Sequence, residues 1–272
     1  MWSTAGPALI SGALLAAATW PVHAASADLV SIQTPRGVQQ AFILVTPPQK
    51  PVASVILFAG GDGALGLTGA SSMKWGAANF LVRTRHMFAA RGLMAAVVDT
   101  PSDHKDGMNA VFRMSSAHAR DIEAVAVHLK KQADVPVWLI GTSMGTFSAA
   151  GGAIGAKNVS GLVLTSTITR ADPGWKIARS HRDGVASMAL PQILVPVLIV
   201  SHSKDGCKFT PAADASKLKD RLTKAGKAEV ELLDGGSAAV SDPCEGKSQH
   251  GFFGIEARAV DTIARFIKAN LQ

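Results

Sequence analysis

The stretch 135-VPVWLIGTSMGTFSAA-150 runs in immediate succession through an apolar segment, a Gly-x-Ser-x-Gly turn and a set of small helix-forming residues. Val137, Trp138, Leu139 and Ile140 read as a buried strand, Gly141-Thr142-Ser143-Met144-Gly145 as a sharp turn, and the residues after it as a helix. A backbone that reverses this tightly leaves no room for side chains two positions before and after Ser143, which accounts for Gly141 and Gly145. The helix N-terminus then directs its partial positive charge at the turn. In a strand-turn-helix context the serine stands exposed at a sheet edge and is suited to act as a nucleophile. The pentapeptide alone is weak evidence, because a solvated serine in a glycine-rich turn reads the same way.

Working outward, residues 29–34 and 39–46 read as two strands joined by Pro35-Arg36-Gly37. Residues 52–59 form a continuous apolar run that suits a fully buried strand, and it leads into Gly60-Gly61-Asp62-Gly63. Helical spacing over 74–91 ends at Gly92, 93–98 is another buried strand, and 99–114 is a polar loop. Ser115 or Ser116 can cap a helix that runs to Gln132, with Ile122, Val125, Ala126 and Leu129 on one face. After the opening stretch come a strand at 159–165, an irregular segment at 169–191 and a strand at 195–201. A helix at 211–224, a last strand at 230–233 and an amphipathic helix at 252–271 complete the chain. Strands alternating with helices, the strands themselves apolar throughout, predict an α/β fold with a mostly parallel sheet covered on both faces. Ligands bind such sheets beyond the carboxyl ends of the strands, so the loops after Ala59, Ile140, Ser201 and Leu233 are the ones of interest.

Composition bounds the reading further. A chain of 272 residues, 47% hydrophobic and 17% charged, can bury one sizeable core, so residues 28–272 are expected to form a single domain. The net charge is +7, yet the 27 Lys and Arg are dispersed and not interleaved with aromatics, which argues against a nucleic-acid partner. Residues 1–27 read as a secretory signal peptide: a short apolar run over 10–20, then Pro21 and small residues offering cleavage after Ala24 or after Ala27. The run is too short to span a bilayer comfortably, and the segment departs from the usual pattern in having no Lys or Arg before Arg36. The expectation is an exported, periplasmic or secreted protein with no integral membrane segment once the leader is removed. Only two cysteines occur, Cys207 and Cys244. An even pair in an exported chain suggests a disulfide, and two free buried thiols are the alternative should export fail.

A serine hydroxyl is a weak nucleophile until a base takes its proton, and the base must be held in the right tautomer by an acid. The loop after the 195–201 strand offers Asp205, and the loop after the last strand offers His250 just before the final helix. Asp234 competes as the acid but stands beside Gly235-Gly236, where a turn role suits it. His202 competes as the base but reads better as a satisfied structural histidine. The chain order Ser143, Asp205, His250 on strand-end loops of a parallel sheet resembles the α/β-hydrolase family, with its serine esterases and dienelactone-hydrolase-like members. The resemblance covers roughly residues 52–272.

The resemblance implies a serine hydrolase acting on a small-molecule ester or acyl substrate. In it Ser143 is the nucleophile, His250 the general base and then acid, and Asp205 the orienting carboxylate. It also implies an oxyanion hole made by the backbone N–H groups of Met144 and Gly61. Ala59 stands where many members carry a histidine, so the second donor stays open between Gly60, Gly61 and Asp62. Triad geometry does not separate ester from amide, so a peptidase or amidase is the alternative enzyme, and a non-catalytic binding or accessory protein is the reading outside enzymology. Residues 169–191, where such folds insert a lid, are few, which implies a small cap over a partly open site. Arg170, Arg179 and Arg182 in that segment either meet an acidic substrate group or form a solvated face. A Cys207–Cys244 bridge would tie the acid loop to the histidine loop. No cofactor is expected: there is no ligand-spaced His/Cys cluster for a metal, no Lys-Ser/Thr after the glycines of 60–63, and no Gly-x-Gly-x-x-Gly after the first strand.

Overall fold

The computed structural model of the chain describes residues 1–2 and 25–271. The expected leader lies for the most part outside the described residues. Its boundary at 27 does not coincide with a structural one, because β1 (Ser26–Gln33) already includes Ser26 and Ala27, paired with Thr46 and Val45 of β2 (Gln39–Thr46). The remaining strands are β3 (Ala53–Phe58), β4 (Leu93–Pro101), β5 (Val137–Ser143), β6 (Gly161–Thr167), β7 (Val197–His202) and β8 (Ala228–Leu233). The helices are α1 (Phe80–Arg83), α2 (Arg85–Ala89), α3 (Ala110–Arg113), α4 (Ser116–Gln132), α5 (Gly145–Gly155), α6 (Ala215–Asp220) and α7 (Glu256–Ala269).

One eight-stranded sheet runs in the order β1-β2-β4-β3-β5-β6-β7-β8. The β1–β2 and β2–β4 pairings are antiparallel, and every pairing from β4 to β8 is parallel. The apolar runs explain the centre of the sheet: each residue of β3, β6 and β7 is buried, as strands covered on both faces require. On one face Ile122, Val125 and Leu129 of α4 pack with Phe147 and Ala150 of α5 against Ile56, Phe58 and Leu139. On the other, Leu81, Phe88, Val260, Ile263 and Phe266 from α1, α2 and α7 cover Val55, Leu57, Trp138 and Ile140. β5 lies on the far side of β3 from β4, so the chain reverses its direction of travel across the sheet there. A crevice opens at such a reversal beyond the carboxyl ends of the two strands.

Three helices are shorter than the sequence pattern predicts. Over 74–91 the helix starts only at Phe80, because Gly76 sits at φ +82° and Asn79 caps the first turn by accepting from the Leu81 N–H. It breaks at Thr84, whose buried hydroxyl donates to the Phe80 carbonyl. The segment 211–224 divides into a 3-10 turn over Ala212–Asp214 and α6. The final helix begins at Glu256, since Phe252 takes the left-handed conformation at φ +57° and Gly254 follows at +83°. The expected loop 99–114 is itself structured: α3 lies within it, and the Asp99 carboxylate accepts the N–H groups of Leu65, Leu67 and Thr100.

Candidate active site

Ser143 ends β5, and its φ of +52° is a conformation that a side chain other than glycine rarely adopts. The neighbouring glycines make that elbow feasible. A Cβ on Gly141 would lie 2.4 Å from the Gly145 carbonyl oxygen, and one on Gly145 would lie 2.1 Å from the carbonyl oxygen of Phe58. Both positions are therefore closed to larger residues, as the sequence predicts. Helix α5 starts directly behind, at Gly145.

Asp205 and His250 arrive from the loops after β7 and β8. His250 Nδ1 lies 3.1 Å from Asp205 Oδ2, with the two side chains 5% and 0% exposed. An ionised carboxylate only accepts, so Nδ1 carries the proton and Nε2 is left to accept. Asp205 is held in turn: its Oδ1 accepts the Cys207 N–H at 2.9 Å and its Oδ2 accepts the Thr210 hydroxyl at 2.9 Å. Thr210 Oγ1 also lies 3.1 Å from His250 Nδ1, so three buried side chains meet at one point. The backbone of the histidine is fixed separately, by the Ser166 hydroxyl donating to its carbonyl at 2.7 Å and by Arg83 donating to the Gly251 carbonyl at 2.6 Å. Cys207 and Cys244 form a disulfide, with Cα atoms 4.5 Å apart, joining the acid loop to the loop that delivers His250.

Ser143 and His250 line one cavity of about 700 Å³. Gly60, Gly61, Trp75, Asn79, Cys244 and Lys247 are among its other walls. Neither Ser143 Oγ nor His250 Nε2 hydrogen-bonds to a protein group among the described residues, and neither is sealed from the cavity. A long or unmade nucleophile–base contact is common before substrate binds. The amides of Gly60, Gly61 and Met144 likewise make no turn or loop hydrogen bond among the described residues; Gly60 and Gly61 line this cavity, whereas Met144 borders a smaller neighbouring hollow. Asp62 does not line the cavity. Trp75, 47% exposed, lies against the Gly61 α-carbon.

The rival residues have other partners: Asp234, read as a turn residue, forms a surface ion pair, and His202 is the satisfied structural histidine expected. Asp234 is 79% exposed and pairs with Arg258 at 3.1 Å on the surface. His202 is buried and satisfied on both nitrogens: Nδ1 accepts the Lys204 N–H at 3.0 Å, which leaves Nε2 to donate to the Gly235 carbonyl at 2.9 Å. The short segment 169–191 places Trp175, Lys176 and Ile177 beside Met144 around a separate hollow of about 180 Å³. None of Arg170, Arg179 and Arg182 lines the larger cavity, and Arg170 pairs with Asp214 instead. The walls of that cavity come from the loops around 73–80 and 241–251.

No protein-family model matches the sequence, and no curated protein matches it. Solved structures do match. An esterase from Pyrococcus furiosus superposes with a TM-score of 0.64 at 14% identity, over 91% of this chain and 92% of its own. A dienelactone hydrolase from Anabaena variabilis gives 0.57 at 15% identity, over 92% of this chain and 100% of its own. The chain has the α/β-hydrolase fold. A cold-adapted esterase from an Arctic intertidal metagenomic library gives 0.58 at 17% identity, over 92% of this chain and 95% of its own. At such identities the likeness fixes the α/β-hydrolase fold, and the chemistry has to be argued from this chain's residues.

Sequence reasoning missed three polar residues that hold this site: Thr210, Ser166 and Arg83. Only Thr210, five positions from Asp205, carried any local signal. Among the described residues no group of three His, Cys, Asp or Glu side chains could hold a metal ion, and no helix is long and apolar enough to cross a membrane.

Proposed function

We propose that the protein is an exported serine hydrolase that cleaves small carboxylic esters through an acyl-enzyme on Ser143. The observation that carries this reading is the buried Asp205–His250 pair, whose free Nε2 opens into the same cavity as a serine held at positive φ. His250 Nε2 takes the Ser143 proton as Oγ attacks the carbonyl carbon, and Asp205 stabilises the imidazolium that forms. The negative charge on the substrate oxygen is met by the N–H groups of Met144 and Gly61. His250 then returns the proton to the leaving alcohol, and water, activated by the same base, releases the acid. Export is supported by the disulfide and by the composition of the first residues. Leader cleavage after Ala24 would leave β1 whole, whereas cleavage after Ala27 would remove two of its paired residues.

A fluorophosphonate probe tests the reading. Labelling of the folded protein that disappears in Ser143→Ala, together with release of nitrophenol from short-chain acyl esters, is the expected result. Absence of labelling in the folded wild type overturns it, and cleavage of peptide or amide substrates in preference to esters moves the reading to the amidase class.

A further inference from the structure

Arg113, in the last turn of α3, is the largest fully buried charged side chain among the described residues, and the triad makes no use of it. Its side chain is enclosed, 1% exposed, and no carboxylate hydrogen-bonds to it. A buried cation without such a partner is costly to fold around; burial draws its pKa down to about 10, with the nearby Asp62 charge offsetting part of that effect, so it still carries its charge at neutral pH. Its acceptors show where it acts. Nη2 donates to the Gly61 carbonyl at 3.1 Å, Nη1 to the Ser148 hydroxyl on α5 at 2.9 Å, and Nε to the Met108 carbonyl at 3.3 Å. Met108 itself donates its N–H to the Asp62 carbonyl at 2.8 Å. The guanidinium thus joins the loop after β3 to the helix that carries the nucleophile's turn, and a Cβ on Gly63 would lie 2.5 Å from Nη2.

We propose that Arg113 is a positioning residue that holds the 60–63 loop so that the Gly61 N–H stays directed into the cavity as the second oxyanion donor. Gly61, at φ +60°, has little steric restraint of its own, and two neighbours supply it. Trp75 presses on its α-carbon from the cavity side, and Arg113 grips its carbonyl from the interior. A planar fork with fixed donors suits this task better than an ammonium, because it can hold three acceptors from different elements at once. The proposal rests on the serine-hydrolase reading above, and it selects Gly61 over Gly60 and Asp62.

The test compares the full-length wild type with Arg113→Met, Arg113→Lys and Ser148→Ala, all assayed well below their melting temperatures. Steady-state hydrolysis of a nitrophenyl ester is read alongside the affinity for phenylboronic acid, which places a tetrahedral anion on the serine. In Arg113→Met kcat is expected to fall about 100-fold with KM within twofold, and boronate affinity to fall in parallel, as for loss of one oxyanion donor. Arg113→Lys should recover part of both, and Ser148→Ala should lose about threefold in kcat. Should Arg113→Met fail to fold, the other two variants carry the test. Unchanged kcat and boronate affinity in folded variants overturn the proposal while leaving the hydrolase reading intact. A wild type that neither labels at Ser143 nor turns over esters overturns both.

Discussion

Replacing Thr210 with valine keeps the shape of the side chain and removes one donor from the buried carboxylate at the centre of the site. Asp205 accepts three hydrogen bonds, from the Cys207 N–H, the Thr210 hydroxyl and His250 Nδ1. Its side chain is wholly buried, so water cannot substitute for a donor that is lost. A hydrogen bond to a charged group contributes about 1.5–3 kcal/mol, and with two donors left on Asp205 the loss of the third falls within that range. Thr210→Val should therefore lower stability by about 2 kcal/mol in urea denaturation, with the m-value unchanged. The same hydroxyl lies 3.1 Å from His250 Nδ1, so its loss also frees the imidazole to turn. Small misplacements of a catalytic group are expensive, and kcat for a nitrophenyl ester should fall about tenfold with KM little changed. Thr210→Ser restores the hydroxyl and should restore most of the rate. In a double-mutant cycle with Asp205→Asn the two stability losses should fail to add by about 1 kcal/mol or more. A Thr210→Val protein within 0.5 kcal/mol of wild type on the scale set by these magnitudes, and within twofold in kcat, would show that the three-way contact is incidental.

Reducing the Cys207–Cys244 bridge, or a Cys244→Ser change, releases a constraint on a loop of 37 residues and should cost about 4 kcal/mol in the chain-entropy picture. Activity should fall with it, because Cys207 also supplies an N–H to Asp205; dithiothreitol treatment that alters neither melting temperature nor rate would sink the idea that the bridge organises the acid–base pair. His118 is buried with neither ring nitrogen hydrogen-bonded among the described residues, and burial, with Arg113, Arg36 and His104 nearby, lowers its pKa from 6.5 to about 3. The unfolded chain therefore binds a proton that the native state refuses. This contribution to stability is complete above pH 6.5 and drains away as pH falls toward 3, by up to about 1.4 kcal/mol per pH unit. His118→Leu should flatten the stability profile by that slope in denaturation series from pH 7 to pH 4, and an unchanged slope would show that His118 does not contribute. Gly145→Ala forces a methyl into the Phe58 carbonyl and should cost about 1–3 kcal/mol or prevent folding altogether; a variant with wild-type stability and rate would contradict the close approach.

The sheet was legible because its signal is local. β3, β4, β6 and β7 are apolar runs with no polar face to maintain, and the elbow at Ser143 is written in two glycines whose missing side chains have a steric cause. Strand ends and chain order narrow the candidate acid and base to one loop each, and the structure brings those two side chains, Asp205 and His250, into contact. The residues that hold them could not be placed from sequence. Ser166 meets His250 across 84 positions, Arg113 meets Gly61 across 52, and Asp99 meets Leu65 across 34. None of these polar side chains belongs to a periodic pattern, and each pairs with a backbone atom that any residue would offer. The break at Thr84 has the same origin, since a hydroxyl competing for a helix carbonyl leaves the hydrophobic spacing intact. The three arginines of 169–191, read as either substrate contacts or a solvated face, lie outside the cavity, which is walled by the loops around 73–80 and 241–251.

The two glycines flanking Ser143 turn out to serve different neighbours. Gly141 makes room within the elbow, for the backbone of Gly145 and Thr146, whereas Gly145 makes room for the end of β3, where the carbonyls of Phe58 and of the next residue, Ala59, would crowd its Cβ. That second contact sets how closely the end of β3 approaches the start of α5. The two proposed oxyanion donors sit on opposite sides of this approach, Met144 just before α5 and Gly61 three residues after β3. Their spacing is thus fixed by the packing of β3 against the β5–α5 turn, with Arg113 tied to both through Gly61 and Ser148. The reversal in strand order that places β5 beside β3 brings these two loops together, and their distance is a property of the sheet as much as of the pentapeptide.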